Sequence, residues 1–299
     1  MKIIIEYNMK SKVTIPSIIN AKKEKRKISM LTAYDYLMAK ILDEAEIDIL
    51  LVGDSVGFVH MGLQSTIPVT MDQMVYHSSI VAKASERALV ITDMPFGSYT
   101  VSKEEAVKNA IRLVKDGGAH GVKLEGGKRV LDKIKAIIDA EIPVMGHLGL
   151  TPQSEHKFGG FKVQAKSEDA VERLISDALA LEEVGVFSIV LEGIPIEAAR
   201  RVTDILRIPT IGIGAGKYCD GQVLVTHDML GLTDFTAKFV KEYSKLKSEI
   251  ISAAKLFSEE VKNNQFPTLE YSYDVDIKKA IKSDLIENIS DEKKSFDKI

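Results

Sequence analysis

The sequence predicts an α/β protein whose core is a single (β/α)8 barrel. Eight short apolar runs alternate with helical patterns along most of the chain, and several of these runs end in a polar or ionisable residue. Alternating strands and helices are typical of parallel β-α units, and eight such units favour a closed barrel over an open sheet. We assign an N-terminal helical lead-in to residues 1–26, the barrel to 27–265 and a C-terminal extension, partly disordered, to 266–299, with a helical stretch before it.

The lead-in contains a short extended piece, VTIPSI, followed by a basic run from Lys22 to Lys27. A run of this kind is most simply the solvated face of a helix. We therefore expect these basic residues to lie in solvent, on a segment that leads into the barrel.

The eight strand candidates are short and apolar, as expected for strands buried on both faces of a parallel sheet. They cover residues 27–34, 49–55, 88–94, 121–126, 143–149, 188–193, 209–216 and 222–228. The link between the last two, KYCDG, is too short for a helix. Parallel strands normally need a crossover of about a dozen residues, so the count of eight depends on this joint.

Helical patterns separate most of the strand candidates. They cover residues 36–46, 70–86, 103–115, 128–140, 167–184 and 196–206. Ser102 and Ser167 stand where N-caps are expected, and Gly185 stands where a helix should end. These signals support the alternation on which the barrel rests.

The chain continues well past the eighth strand. An amphipathic stretch from Thr236 to Lys262 predicts outer-layer or interface helices. The final segment, 274–299, is highly charged and contains Phe296 as its one aromatic residue. That composition is typical of a loosely attached or disordered tail.

Composition narrows the class of protein and its partners. The 40 basic and 43 acidic residues leave a net charge of -3, which offers no electrostatic case for binding nucleic acid or an anionic membrane. Cys219 is the one cysteine, so neither an intrachain disulfide nor a cysteine-rich zinc site can form. No stretch approaches the roughly 20 apolar residues of a membrane helix, and no signal-peptide pattern is present. We expect a cytoplasmic protein with small-molecule partners.

Asp54 and Asp93 stand at the ends of consecutive strand candidates, so a barrel would place both carboxylates on the same rim. Carboxylate oxygens are the ligands that Mg²⁺ prefers, and few protein ligands leave positions for water and substrate. Ser55 beside one aspartate, and Glu125 on the next strand, add to the prediction of a shared Mg²⁺ site. Alternatively, each aspartate could simply cap a helix or loop.

Lys123 and Glu125 are two residues apart on one strand, and therefore face the same side of it. A cation and an acid that point inward near the barrel mouth suit a bound carboxylate and a metal ion. The alternative is an internal ion pair with no role beyond structure.

Glu192 ends the sixth strand candidate and is our candidate general base; alternatively, it is an acid at a helix N-terminus before Pro195. His147, at the fifth strand end, is either a residue that supports the site or a hydrogen-bonded core histidine. The remaining histidines show no metal-ligand spacing and receive no role: His60, His77, His120, His156 and His227.

Several longer segments also form a recognisable series. In order they are VTIPSI, KEKRKISMLTAYDY, LLVGDSVG, STIPVTMDQMVYH, DMPFGSY, VKLEGG, GHLGLTPQS, KFGG, VLEGIP and PTIGIGAGKYCDGQVLVTHDMLGL. The amino-acid sequences of these segments, and their order, closely resemble those of the ketopantoate hydroxymethyltransferase family, also called 3-methyl-2-oxobutanoate hydroxymethyltransferase. The resemblance covers about Val13 to Tyr273, and it is specific because many unrelated segments match in order.

The resemblance implies a (β/α)8 barrel of the phosphoenolpyruvate/pyruvate type that assembles as a homodecamer. It implies one Mg²⁺ per subunit and two small-molecule substrates, 3-methyl-2-oxobutanoate and 5,10-methylenetetrahydrofolate. The implied products are 2-dehydropantoate (ketopantoate) and tetrahydrofolate, in the first step of pantothenate and coenzyme A biosynthesis.

Carried over residue by residue, the resemblance also assigns roles to the strand-end residues. It places Asp54, Asp93 and Glu125 around the metal ion. It makes Glu192 the proton acceptor. Substrate contacts fall on Asp54, Ser55, Asp93 and Lys123.

Two other functions are compatible with such a barrel. One is a Mg²⁺-dependent 2-oxo acid lyase or mutase of the same superfamily, which would act without any folate. The other is a catalytically silent barrel that binds an oxo acid or a protein through its C-terminal helices. The loss of a strand-end carboxylate would favour the silent barrel, and none is missing.

Overall fold

The computed structural model describes residues 11–235 and 237–273, so the predicted tail at 274–299 lies outside the described residues. The chain divides between Ser244 and Lys245 into two compact units, and the first unit contains the barrel. The boundaries at residues 26 and 265 stay predictions. In the described residues, no helix is long and apolar enough to cross a membrane.

All eight predicted strands are present, and each pairs in parallel with its sequence neighbours to close the barrel β1 to β8. The closing pair joins β1 to β8. The strands are β1 Ile28–Thr32, β2 Ile49–Val52, β3 Leu89–Asp93, β4 Gly121–Glu125, β5 Val144–Gly149, β6 Ser188–Glu192, β7 Thr210–Ile213 and β8 Gly221–Leu224. The predicted fold class is therefore confirmed.

The short joint between β7 and β8 closes the barrel without a helix. β7 and β8 each have four residues, about 13 Å of extended chain. Residues 214–220 are therefore long enough to return from the carboxyl end of β7 to the amino end of β8. The carboxylate of Asp220 accepts hydrogen bonds from the backbone N–H of Thr210 (2.9 Å) and from Nζ of Lys22 (2.9 Å). The connection is thus fixed by side-chain bonds in place of a packed crossover helix.

The predicted helices are also present, with small changes at their ends. The helices of the first unit are α1 Ile15–Lys23, α2 Tyr36–Glu44, α3 Val56–Val59, α4 Met71–Ala84, α5 Lys103–Lys115, α6 Leu131–Asp139, α7 Glu155–Phe158, α8 Glu168–Val184, α9 Ile196–Ile205 and α10 Thr226–Met229. Ser102 and Ser167 are N-caps, and Gly185 ends α8 in the left-handed conformation.

The lead-in differs from its prediction, because residues 15–18 of VTIPSI form the start of α1, and of this piece only Thr14, the N-cap, is recorded in an extended conformation. Thr14 and Ser17 make a capping box, and the apolar residues follow a helical spacing. Ile18 and Ala21 are fully buried among the residues that fill the barrel interior. The prediction that Lys22 is solvated is also wrong, since its Nζ bonds to Asp220 and to the carbonyl of Thr203 (2.7 Å).

The prediction of helix from Thr236 is wrong for residues 237–245, and Thr236 itself lies outside the described residues. The backbone N–H of Tyr243 donates to the carbonyl of Met229 (2.8 Å), the last residue of α10. This bond replaces the i to i−4 bond that Tyr243 would make in a helix. The second unit contains the helix α11, Leu246–Lys262, and a short turn at Leu269–Tyr271.

We expect Ile18→Ala to lower the free energy of unfolding by about 2–5 kcal/mol, because it leaves a cavity where α1 closes the barrel interior. Chemical denaturation should measure this loss. The matched control is Ile41→Ala on α2, where the side chain is 58% exposed and the expected change is about 0.5 kcal/mol. Equal losses in both variants would show that α1 does not contribute to the core.

Candidate functional site

The two aspartates predicted to share a metal ion lie side by side at the mouth of the barrel. Asp93 is the last residue of β3, and Asp54 follows the end of β2 at Val52. The backbone N–H of Asp54 donates to Oδ2 of Asp93 over 3.1 Å, and both residues are buried. The carboxyl ends of neighbouring strands thus bring both carboxylates into one acidic site.

Strand β4 supplies a cation and a third acid to this site. Lys123 and Glu125 are both buried and lie two residues apart on the strand. Nζ of Lys123 lies 2.9 Å from Oδ1 of Asp93, its partner in the register of β3 and β4. Burial lowers the pKa of Lys123, but the carboxylates of Asp93, Glu125 and Asp54 outweigh burial and raise it. The ammonium group therefore stays charged and offsets part of the negative charge.

Gln153 connects the acids, although nothing but its position just past β5 marks it in the sequence. Its Nε2 donates to Oδ2 of Asp54 (2.8 Å), and its backbone N–H donates to Oε2 of Glu125 (3.0 Å). The hydroxyl of Tyr99 donates to Oε1 of Gln153 over 2.7 Å. This bond orients the side-chain amide, so Tyr99 and Gln153 together fix the positions of two acids.

His147 and Glu192 extend the site towards β5 and β6. Nε2 of His147 lies 3.2 Å from Oε2 of Glu192, and Nδ1 lies 3.3 Å from Nζ of Lys123. Burial and Lys123 lower the pKa of His147, whereas hydrogen bonds to Glu125 and Glu192 raise it, to about 9 overall. The protonated form of the imidazole is therefore favoured next to Glu192. The side chain of Glu192 is 17% exposed, against 2% for Glu125, so Glu192 is the accessible acid.

Gly149 allows β5 and β6 to approach closely at this point. Its φ is +94°, and a Cβ atom there would lie 2.2 Å from the carbonyl oxygen of Glu192. The same carbonyl accepts a hydrogen bond from the backbone N–H of Leu150 over 2.8 Å. Glycine is therefore needed here, because any side chain would displace the backbone that carries Glu192.

Ser55 lies at the edge of the site, where its hydroxyl is 2.7 Å from the hydroxyl of Tyr34. Three histidines to which the sequence assigns no role also gather near this tyrosine. The ring centroids of His60 and His227 are 5.0 Å apart, and those of His60 and His77 are 5.9 Å apart. Sequence spacing could not reveal this cluster, because its members come from three separate segments.

The acidic site fits a divalent cation that has few protein ligands. In residues 11–235 and 237–273, no three His, Cys, Asp or Glu side chains stand in positions that would enclose a metal ion. Burial, followed by the carboxylates of Asp93 and Glu125, raises the pKa of Asp54 to about 8. A divalent cation would remove that repulsion. Two carboxylates with water or substrate oxygens would meet the usual needs of Mg²⁺.

The structure thus brings most of the predicted site residues together. Their chemical roles stay predictions. The grouped residues are Asp54, Asp93, Lys123, Glu125, His147 and Glu192, with Ser55 at the edge.

Comparison with solved structures supports the barrel fold. The phosphoenolpyruvate phosphomutase of Streptomyces platensis subsp. rosaceus superimposes with a TM-score of 0.56 at 12% sequence identity, covering 93% of this chain and 99% of that one. At this identity the likeness concerns the fold. The likeness therefore shows a shared barrel fold, and the phosphoenolpyruvate/pyruvate type stays a prediction.

Sequence comparison is more specific. The family model described as ketopantoate hydroxymethyltransferase matches residues 12–269. The 3-methyl-2-oxobutanoate hydroxymethyltransferase of Clostridium beijerinckii is 54% identical over 89% of this chain and 97% of its own length. The protein of the same name from Syntrophomonas wolfei subsp. wolfei is 53% identical over 89% and 96%, respectively. The chain therefore belongs to the ketopantoate hydroxymethyltransferase family.

Proposed function

We propose that this protein transfers a hydroxymethyl group from 5,10-methylenetetrahydrofolate to 3-methyl-2-oxobutanoate. The products are 2-dehydropantoate and tetrahydrofolate, and the reaction begins pantothenate and coenzyme A biosynthesis. In a chain of this family, the observation that carries the proposal is the buried group of Asp54, Asp93 and Lys123 beside the more accessible Glu192. A cytoplasmic location and a homodecamer stay predictions from composition and resemblance.

The acidic site would hold one Mg²⁺ per subunit. Asp54 and Asp93 are the expected ligands, and Glu125 stands next to them, with its carboxylate bonded to Gln153. When bound, the metal ion supplies Lewis-acid stabilisation of the negative charge that develops on the keto oxygen. Gln153 keeps one oxygen of Asp54 oriented through its 2.8 Å bond.

Lys123 contributes positive charge for the carboxylate of the oxo acid. Its Nζ pairs with Asp93 at 2.9 Å and stays protonated, so it can attract an anion to the mouth of the barrel. Ser55 contributes a hydroxyl from the adjacent strand end. These contacts would orient the substrate with C3 facing Glu192.

Glu192 would then remove the proton from C3 of the oxo acid. His147, whose Nε2 lies 3.2 Å from Oε2 of Glu192, would position this carboxylate for the transfer. One carbon–nitrogen bond of the methylene bridge opens, and its electron pair and a proton go to that folate nitrogen. Water adds to the methylene carbon, and cleavage of the second carbon–nitrogen bond releases tetrahydrofolate and formaldehyde. The carbanion then forms a carbon–carbon bond to this carbon, and the new alkoxide takes up the proton held by Glu192, which gives the hydroxymethyl group.

The overall reaction can be tested by omission. The purified protein should form 2-dehydropantoate only when 3-methyl-2-oxobutanoate, 5,10-methylenetetrahydrofolate and Mg²⁺ are all present, as followed by mass spectrometry. Conversion of the oxo acid into other products without folate would contradict the proposed function and would indicate a lyase or mutase.

Glu192→Gln should lower kcat by about 10²–10⁴-fold, because the amide cannot accept a proton. Without folate, exchange of the C3 hydrogen in D₂O, measured by NMR, should fall by a similar factor, while calorimetry should still detect oxo acid binding. The control is Glu197→Gln on α9, whose side chain is 61% exposed. Near-normal exchange in Glu192→Gln would remove Glu192 from the role of base.

The double variant Asp54→Ala/Asp93→Ala should lose both catalytic activity and detectable binding of Mg²⁺, because it removes both expected ligands. Isothermal titration calorimetry with Mg²⁺ alone measures the second effect. Asp72→Ala on α4, where the side chain is 86% exposed, removes a carboxylate away from the site and should bind Mg²⁺ normally. A double variant that still binds Mg²⁺ would contradict the ligand assignment.

A further inference from the structure

A cavity of about 420 Å³ lies against the outer face of β5. Its walls come from the turn after β4, the segment after β5 and the first half of α8. The lining includes Leu148, whose side chain points away from the barrel interior, and Leu174 of α8. We call this cavity the basic pocket, after the cations Lys128, Arg129, Lys157 and Arg173 that line it.

The basic pocket is built from the same chain segments as the catalytic site. Gly126 lines it and directly follows Glu125, and its backbone N–H donates to the carbonyl of His147 over 3.0 Å. Gly149 also lines it, and packs against the carbonyl of Glu192. A ligand that reaches from the basic pocket to the barrel mouth would therefore follow the segments after β4 and β5.

The charge of the basic pocket suits an anion. Its lining contains four basic side chains and one acid, Asp177, in a protein whose net charge is -3. Asp177 is engaged, since its Oδ1 accepts the backbone N–H of Lys128 over 2.9 Å. Within the described residues, neither Lys157 nor Arg173 forms an ion pair. Cations gathered in a concave wall repel one another, and an anion would relieve that repulsion.

Two of the cations already make hydrogen bonds on the wall of the pocket. Nζ of Lys128 lies 2.6 Å from the hydroxyl of Ser176. Nη2 of Arg129 lies 3.4 Å from the carbonyl oxygen of Glu125, so this guanidinium also contacts the strand that carries the acidic site. Lys157 and Arg173, which form no ion pair within the described residues, are thus the cations of the pocket most available to bind an anionic ligand.

The lining is not purely cationic, because Leu148, Phe158 and Leu174 also contribute to it. An apolar and cationic lining matches a ligand that joins an aromatic group to carboxylates. Inorganic phosphate would use the charges and leave the apolar surface uncovered. The p-aminobenzoyl-glutamate part of a folate has both features, and the reactive one-carbon unit lies at the opposite end of that molecule.

We propose that the basic pocket binds the p-aminobenzoyl-glutamate tail of the folate co-substrate, with Lys157 and Arg173 contacting its carboxylates. This inference rests on the proposed function, because it assumes that a folate delivers the one-carbon unit. It places the reactive end of the folate at the barrel mouth near Glu192, and the charged end outside the barrel wall.

The test compares three one-carbon donors: methylenetetrahydropteroate, which lacks glutamate, the monoglutamate and a tetraglutamate. For the unmodified protein, KM should fall as glutamates are added. In Lys157→Gln/Arg173→Gln, KM for the monoglutamate should rise about tenfold, the factor that two exposed ion pairs are worth together. KM for the pteroate and for 3-methyl-2-oxobutanoate should not change. The control is Lys135→Gln/Arg200→Gln, which removes the same charge from exposed helix surfaces.

Three results would overturn the inference. The first is an unmodified protein that does not distinguish the pteroate from the glutamates, and the second is a double variant that keeps the full distinction. The third comes from calorimetry with two probes, p-aminobenzoyl-glutamate and inorganic phosphate: binding of phosphate alone would indicate a phosphate site. If the protein makes no product from any folate, the proposed function itself fails, and the absence of p-aminobenzoyl-glutamate binding would then decide against the pocket as well.

Discussion

Three carboxylates and one ammonium group are buried together at the mouth of the barrel, and the organisation of the site follows from this electrostatic constraint. Lys123 pairs with Asp93 at 2.9 Å, while Gln153 bonds to both Asp54 and Glu125. One cation does not balance three buried acids, and burial together with the neighbouring acids raises the pKa of Asp54 to about 8. The site is therefore suited to a divalent cation and to a substrate whose oxygens complete its coordination.

The closed barrel makes this concentration of charge possible. Parallel strands all end at the same mouth, so residues far apart in sequence become neighbours there. The register places Asp93 beside Lys123 and Glu125 beside His147. Two local features complete the arrangement: Gly149 allows β5 to approach the backbone of Glu192, and the short connection before β8 lets the barrel close.

The alternation of strand and helix patterns was enough to predict the barrel. The polar residues at the strand ends were enough to predict the grouping of the site residues Asp54, Asp93, Lys123, Glu125, His147 and Glu192. Gln153 was not predictable, because its role depends on how a loop folds back over two acids. The lead-in was predicted to be helical, but the start of α1 was predicted as extended, although Pro16 is well tolerated in the first turn of a helix. The segment 237–245 has a helical composition, but its bond to Met229 is a tertiary contact that periodicity cannot reveal.

If one metal ion and the oxo acid bind to the same group of side chains, each should strengthen the binding of the other. Calorimetric titration of 3-methyl-2-oxobutanoate into the protein, with and without Mg²⁺, measures this coupling. We expect Mg²⁺ to strengthen oxo acid binding, and the oxo acid to strengthen Mg²⁺ binding, by the same factor of about tenfold or more, because the coupling free energy is reciprocal. Equal affinities with and without Mg²⁺ would contradict this expectation.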